Sequence, residues 1–306
     1  MRLRRVRPGD VVGVAALSGP VDPADLASGR GALEGMGYRV RLAGNLALRD
    51  GALGLAGREP DRISGYRDLL RDPDVAAIVF ARGGYGITPL LPSLDPAEIA
   101  SHPKPHCGFS DVTALSGFLL SRCDLPSFHG PMVAADLGRG LDPLSASFFP
   151  SMLEGRGPSG LPLGEADILA TGDFEGRLVG GCLSLLAATL GTPAEFPFDG
   201  SVLLMEDVAE EAYRIDRMLV TLRDAGRLAK LRGILVGSLS AITFGGAEDP
   251  ERLRALLVER LAPLGIPVVA GVPSGHRLPN VTLPIGARVA WNGRRRALTF
   301  LQEIVA

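Results

Sequence analysis

Short apolar runs alternate with amphipathic stretches through the first half of the chain. Val11 to Ala16 is an uninterrupted apolar run, and from Pro23 to Met36 the residues Leu26, Leu33 and Met36 fall on one helical side. Tyr38 to Ala43 is the next strand-like run. Ile63, Tyr66, Leu69 and Leu70 recur at helical spacing within Pro60 to Arg71, and Val75 to Phe80 is continuously apolar. Runs of this kind, alternating with amphipathic helices, predict an α/β fold with a parallel sheet covered on both faces. Ligands of open parallel sheets sit beyond the carboxyl ends of the strands. Two segments fall at such ends: the glycine-rich turn Arg82-Gly83-Gly84-Tyr85-Gly86 and the stretch Cys107-Gly108-Phe109-Ser110-Asp111.

The pattern weakens from residue 136 to 172, a stretch rich in Gly, Pro and Leu that reads as a connection. This divides the chain into an N-terminal α/β domain over 1–135, the connection over 136–172, and a C-terminal domain over 173–306. In the last, the pattern predicts a helix at Leu183 to Leu190, a strand at Val202 to Met205 and a long helix from about Glu210 to Ala225. Further strands are expected at Ile234 to Val236, Val268 to Ala270 and Ala297 to Leu301. A chain of 306 residues has enough apolar content for two real cores.

Composition narrows the function classes. The net charge of −2 gives no electrostatic case for binding nucleic acid or an anionic membrane surface. Lysine occurs only at Lys104 and Lys230, so nearly all positive charge is arginine, as the codon bias of a G+C-rich genome would produce. Cys107, Cys123 and Cys182 are odd in number and lack CxxC spacing, so neither a disulfide framework nor a zinc knuckle is expected. The basic N-terminus is not followed by an apolar stretch of signal-peptide length, and no run of about eighteen apolar residues occurs. The expectation is a soluble, cytoplasmic protein. GxGxxG, the P-loop pattern and HExxH are all absent, so no nucleotide cofactor or metal is expected.

Ser110 is the most informative position. It follows a buried-strand pattern and opens an apolar helix, where backbone N–H groups and the helix dipole favour an oxyanion. The alternative is a simple helix N-cap, for which serine is a preferred residue. A nucleophile would need a base, and the chain holds only His102, His106, His129 and His276. The first three lie among prolines and glycines and read as structural, although His106 and His129 fall close enough to the strand ends to approach a site. His276 lies in the polar loop Gly275-His276-Arg277-Leu278-Pro279-Asn280 between two strand-like runs, a place from which scaffolds present catalytic groups. Glu206 closes the apolar run Val202 to Met205, where a carboxylate is held rigidly. Asp207, Glu210 and Glu211 better suit the start of the following helix, but pattern alone does not separate these acids. Glycines at Gly83 and Gly84 permit close backbone approach to an oxyanion.

Together these segments resemble one family, the LD-carboxypeptidases or muramoyltetrapeptide carboxypeptidases, serine peptidases with a Ser, Glu, His triad. The resemblance rests on Ala56-Gly57-Arg58, Ala81 to Gly86, Gly108-Phe109-Ser110-Asp111, Gly180-Gly181 and Leu190-Gly191-Thr192-Pro193. It continues through Met205-Glu206-Asp207, Tyr213 to Leu219, Gly275-His276 and Leu283-Pro284-Ile285-Gly286, in the family's order and over nearly the whole chain. It implies Ser110 as nucleophile, His276 as base and Glu206 as orienting acid, with oxyanion donors at Asp111 and at Gly83 or Gly84. It further implies a flavodoxin- or Rossmann-like N-terminal sheet, a mixed C-terminal domain, a site in the cleft between them, and a homodimer. The implied reaction releases terminal D-alanine from a murein tetrapeptide in cell-wall recycling, so the partner is a murein peptide whose carboxylates suit arginines. Arg82, with Tyr85 beside it, is a candidate clamp; the alternative for Arg82 is an ion pair fixing the turn. Cys182 departs from the asparagine usual after the paired glycines. Two rival functions are a self-immunity hydrolase of an aminoacyl or peptidyl-nucleotide antibiotic and a non-catalytic small-molecule-binding protein.

Overall fold

The computed structural model describes residues 3–306. The first sheet is built from β1 (Val11–Ala15), β2 (Arg39–Leu42), β3 (Val75–Phe80), β4 (His106–Cys107) and β5 (Ser127–His129). All five are parallel. Helices α1 (Pro23–Gly35), α2 (Glu59–Arg71), α3 (Pro96–Ser101) and α4 (Val112–Cys123) connect them, and α5 (Pro143–Leu153) follows. Every residue of β3 is buried, as a central parallel strand covered on both faces must be. Local sequence starts these helices: the Asp22 carboxylate accepts from the Ala24 and Asp25 N–H groups ahead of α1, and Pro23 occupies its first turn. Nearly all of α4 is buried, its outer side lying against the second half of the molecule.

The second sheet contains β6 (Gly160–Pro162), β7 (Asp167–Ala170), β8 (Phe174–Cys182), β9 (Ser201–Val208), β10 (Gly233–Ser240) and β11 (Val268–Ala270). Its helices are α6 (Leu183–Ala188), α7 (Ala212–Asp224) and α8 (Pro250–Leu261). The chain then forms β12 (Leu283–Ile285), β13 (Arg288–Asn292) and β14 (Ala297–Phe300). Strands β8 to β11 form a parallel core, and antiparallel β13, β14, β6 and β7 complete the order β6-β14-β13-β8-β9-β10-β11-β7. The architecture is therefore mixed α/β with two sheets, in agreement with the fold class expected from the sequence.

Two features depart from the expected organisation. The stretch expected as a connection supplies α5 and both edge strands, β6 and β7, of the second sheet. β12 leaves the second half and pairs antiparallel with β5, so the first sheet runs β12-β5-β4-β3-β1-β2. Three residues later β13 is back in the second sheet. The turn between them is pinned to β8, with the Gly286 N–H donating to the Leu178 carbonyl and the Leu178 N–H to the Ala287 carbonyl. Among the described residues, no helix is long and apolar enough to cross a membrane.

Candidate active site

Ser110 stands between β4 and α4 with φ 61°, in the left-handed region that a non-glycine residue seldom occupies. Such a conformation costs on the order of 1–3 kcal/mol and persists only where its surroundings enforce it. Here the next residue enforces it. The buried Asp111 carboxylate accepts from the Ser18 hydroxyl at 2.6 Å and the Ile87 N–H at 2.9 Å, while the Thr113 N–H donates to the Ser110 carbonyl at 2.9 Å. Ser110 is thus not the helix cap; Asp111 takes the N-cap position, and its side chain bonds away from the helix. Burial raises the Asp111 pKa, opposed by the Ser18 and Ile87 hydrogen bonds and by the charge of Arg62.

The glycine-rich turn lies directly against Ser110. A Cβ on Gly83 would stand 2.7 Å from the Ser110 Cβ and 2.9 Å from its Oγ, so only glycine fits there. The N–H groups of Gly83, Gly84 and Asp111 have no acceptor among the described residues. The turn is held from behind by Arg62, a buried side chain of α2 that donates to the carbonyls of Leu17 and Gly86. Arg82 is exposed and makes no ion pair among the described residues; instead it donates to the carbonyls of Pro20 and Gly83 at 3.0 and 3.2 Å. Tyr85 beside it is half exposed.

Glu206 comes from the second sheet, near the carboxyl end of β9, and is fully buried. Its Oε2 accepts a hydrogen bond from His276 Nδ1 at 2.6 Å. That bond sets the tautomer: Nδ1 carries the proton and Nε2 presents a lone pair. Gly275 makes the approach possible, since its φ is +119° and a Cβ there would stand 2.5 Å from Glu206 Oε2. The His276 ring meets the Phe109 ring edge-on at 4.8 Å between centroids, which brings the imidazole to the residue preceding Ser110. The Ser110 hydroxyl and His276 share no hydrogen bond; such bonds commonly tighten only in the Michaelis complex. Burial alone would lower the His276 pKa, but the Glu206 hydrogen bond and the charges of Glu206, Asp207 and Asp136 outweigh it, so the net shift is upward. Burial raises the Glu206 carboxyl, and the His276 bond draws it back.

The neighbouring acids separate by their partners. Asp207 accepts from the Ser184 N–H at the start of α6 and from its own neighbour Val208, Glu210 pairs with Arg214, and Glu211 accepts from Thr243 and Gly245. Only Glu206 of the four reaches His276.

Residues 12–130 match the LD-carboxypeptidase N-terminal domain, and residues 175–290 match the LD-carboxypeptidase C-terminal domain. The chain belongs to the LD-carboxypeptidase family. It is 37% identical over 286 residues to a probable murein peptide carboxypeptidase of Bacillus subtilis, covering 93% of this chain and 89% of that one. The crystal structure of a muramoyltetrapeptide carboxypeptidase from Oxalobacter formigenes superposes with a TM-score of 0.81 at 30% identity, covering 94% of this chain and 97% of that one. The microcin C7 self-immunity protein MccF shares the fold, with a TM-score of 0.91 at 23% identity over the full length of both chains. As a member of the LD-carboxypeptidases the chain is an enzyme, a serine-type peptidase. Both matched halves contribute to the constellation just described, Ser110 from the first and Glu206 and His276 from the second.

Other expectations resolve residue by residue. His106 is buried away from this constellation, bonded to the Tyr66 hydroxyl and the Lys104 carbonyl, whereas His129 does reach it, with Nε2 3.9 Å from Glu206 Oε1. His102 bonds locally to Ser101 and the Glu98 carbonyl. At Cys182, where the family usually has asparagine, the main-chain N–H donates to the Thr113 hydroxyl at 3.0 Å and the thiol lies 3.2 Å from the Ser184 hydroxyl. Burial, with Glu206 and Asp207 close by, pushes this thiol well above its ordinary pKa. Sequence reasoning did not foresee the anchoring of Asp111 or the Phe109 packing. The buried Arg62 did leave a signal, an arginine embedded in the apolar face of a helix.

Proposed function

We propose that the enzyme hydrolyses the L,D-peptide bond of murein tetrapeptides, releasing terminal D-alanine in cell-wall recycling. The observation that carries the reading is the buried Glu206 carboxylate 2.6 Å from His276 Nδ1, next to a serine in the left-handed conformation. The similarity to proteins named murein peptide and muramoyltetrapeptide carboxypeptidases supports the substrate class.

In this mechanism Ser110 Oγ attacks the scissile carbonyl carbon while His276 Nε2 takes its proton. The tetrahedral oxyanion is received by the free N–H groups of Asp111 and the Gly83-Gly84 turn. Glu206 stabilises the imidazolium through Nδ1–H. His276 then protonates the departing amine of D-alanine, the C–N bond breaks, and an ester on Ser110 remains. Water, deprotonated by His276, attacks the ester and regenerates the serine. The exposed guanidinium of Arg82, with Tyr85 beside it, is assigned to the substrate's terminal carboxylate, where charge-assisted hydrogen bonds are strongest. The family resemblance also carries the expectation of a cytoplasmic homodimer, which light scattering of the purified protein tests.

The deciding experiment is a mass-spectrometric assay of the purified protein with muropeptides ending in L,D- and D,D-linkages and with an aminoacyl-nucleotide conjugate. D-alanine release from the L,D-linked tetrapeptide alone is expected. Turnover of the nucleotide conjugate with no release of D-alanine overturns the proposal in favour of the self-immunity reaction.

A further inference from the structure

The Glu206 carboxylate has two oxygens and uses one. Oε2 binds His276, while Oε1 is buried with no hydrogen-bond partner among the described residues. His129 Nε2, from the other half of the molecule, lies 3.9 Å away, buried and likewise without a hydrogen-bond partner among the described residues. Two buried polar atoms of matched character, each unsatisfied and facing the other, form an unusual arrangement because buried polar groups are nearly always bonded. At 3.9 Å the contact is too long for a hydrogen bond, and a closure of about 1 Å would make it one.

Burial, reinforced by the charge of His276, pushes the His129 pKa down to about 3. The ring is therefore neutral at physiological pH and carries one N–H. Facing a carboxylate oxygen, that proton belongs on Nε2.

The placement of His129 on the backbone matters as much as its proximity. It ends β5, and β5 pairs with β4 through Phe128 and Cys107, three residues before Ser110. A bond from His129 to Glu206 would thus join the acid–base pair of the second sheet to the strand pair that carries the serine. The Phe109 ring lies against both imidazoles, with its centroid 4.8 Å from that of His276 and 5.8 Å from that of His129.

We propose that His129 is a positioning residue that donates Nε2–H to Glu206 Oε1 as the site tightens on bound substrate, registering the Glu206–His276 pair against Ser110. The inference rests on the triad reading above. Its role is exerted through Glu206, so it concerns turnover rather than substrate binding.

The test compares His129→Phe, His129→Gln and His129→Asn with the parent enzyme, using D-alanine release from an L,D-linked tetrapeptide. Phenylalanine keeps the ring volume and removes the donor, glutamine sets an amide N–H at the reach of Nε2, and asparagine falls short of it. His129→Phe is expected to lower kcat roughly 10- to 100-fold with KM changed less than about threefold, in the range lost when an outer partner of a catalytic group is removed. His129→Gln should recover most of that loss and His129→Asn should not. Parental kcat in His129→Phe, or equal activity of the glutamine and asparagine variants, overturns the proposal. If the phenylalanine variant fails to fold, the glutamine–asparagine pair still decides. Ser110→Ala in the same assay separates the two levels: full activity there sinks the triad itself, whereas an inactive Ser110→Ala beside unaffected His129 variants sinks only the role of His129.

Discussion

The two halves of the site are held by different physics. Around Ser110 the first sheet works through the backbone: a left-handed serine, a glycine that alone fits beside it, and main-chain N–H groups with no acceptor among the described residues. Around His276 the second sheet works through side-chain charge: a fully buried carboxylate, a short hydrogen bond and an imidazole made more basic by it. In the proposed mechanism, geometry prepares Ser110 as nucleophile and electrostatics prepares His276 as base. The first kind of order should respond to added volume and the second to changed charge.

Deleting either reactive group tests both halves at once. Ser110→Ala or His276→Ala should reduce kcat by about 10³-fold or more, with a melting transition close to the parent's, because triad members act as a unit. Appreciable activity in either variant would dissolve the comparison altogether. Glu206→Gln should come next, with a loss on the order of 10³-fold, since an amide can present its N–H to Nδ1 and impose the wrong tautomer. Asp111→Asn is its counterpart on the first side. That carboxylate is also buried, yet it serves to fix a loop, so a loss of only about tenfold is expected, accompanied by a lower melting temperature. Equal losses from the two substitutions would show that charge matters as much on the serine side.

Gly83→Ala should cost roughly 10- to 100-fold in kcat without altering pH dependence, as a Cβ 2.7 Å from that of Ser110 must displace it. The smallest effect is a displacement of the pH profile. His276 must be neutral to act, and its pKa is raised, so the acid limb of kcat/KM should lie above the ordinary histidine value of about 6.5, with activity lost as pH falls through it. In Glu206→Gln the residual activity should show that limb at lower pH, because burial then acts without the compensating charge. A limb unmoved by this substitution would remove the electrostatic half of the contrast.

Much of this arrangement was legible before any coordinates. Strands such as Val75–Phe80 announce themselves because burial on both faces demands an unbroken apolar run. β8 was hidden, since Gly180 and Gly181 interrupt its apolar character, although it is the strand beside Glu206. α8 escaped because its buried face is thin, with only Leu257 and Leu261 fully enclosed. At the site, position in the chain pointed to Ser110 and His276, while pattern alone left four acids near residue 206 unseparated. Only the family resemblance singled out Glu206, whose bond to His276 sets it apart from the other three. Ser110 as a helix cap was a fair inference from residue preference, and it failed because Asp111 is pinned by Ser18 and Ile87, whose chain separations of 93 and 24 residues leave no local signature.

The excursion of β12 into the first sheet has a consequence for how the protein comes into being. The sheet that carries the serine lacks its edge strand until residues 283–285 have been made, and Leu3 finds its backbone partners only in Ile304 and Ala306. A nascent chain emerging from the ribosome therefore cannot finish its first domain and move on to the second, the order usual for two-domain proteins. Both halves should mature together, late in synthesis. No partly built enzyme with Ser110 in place then precedes the arrival of His276, the base of the proposed mechanism.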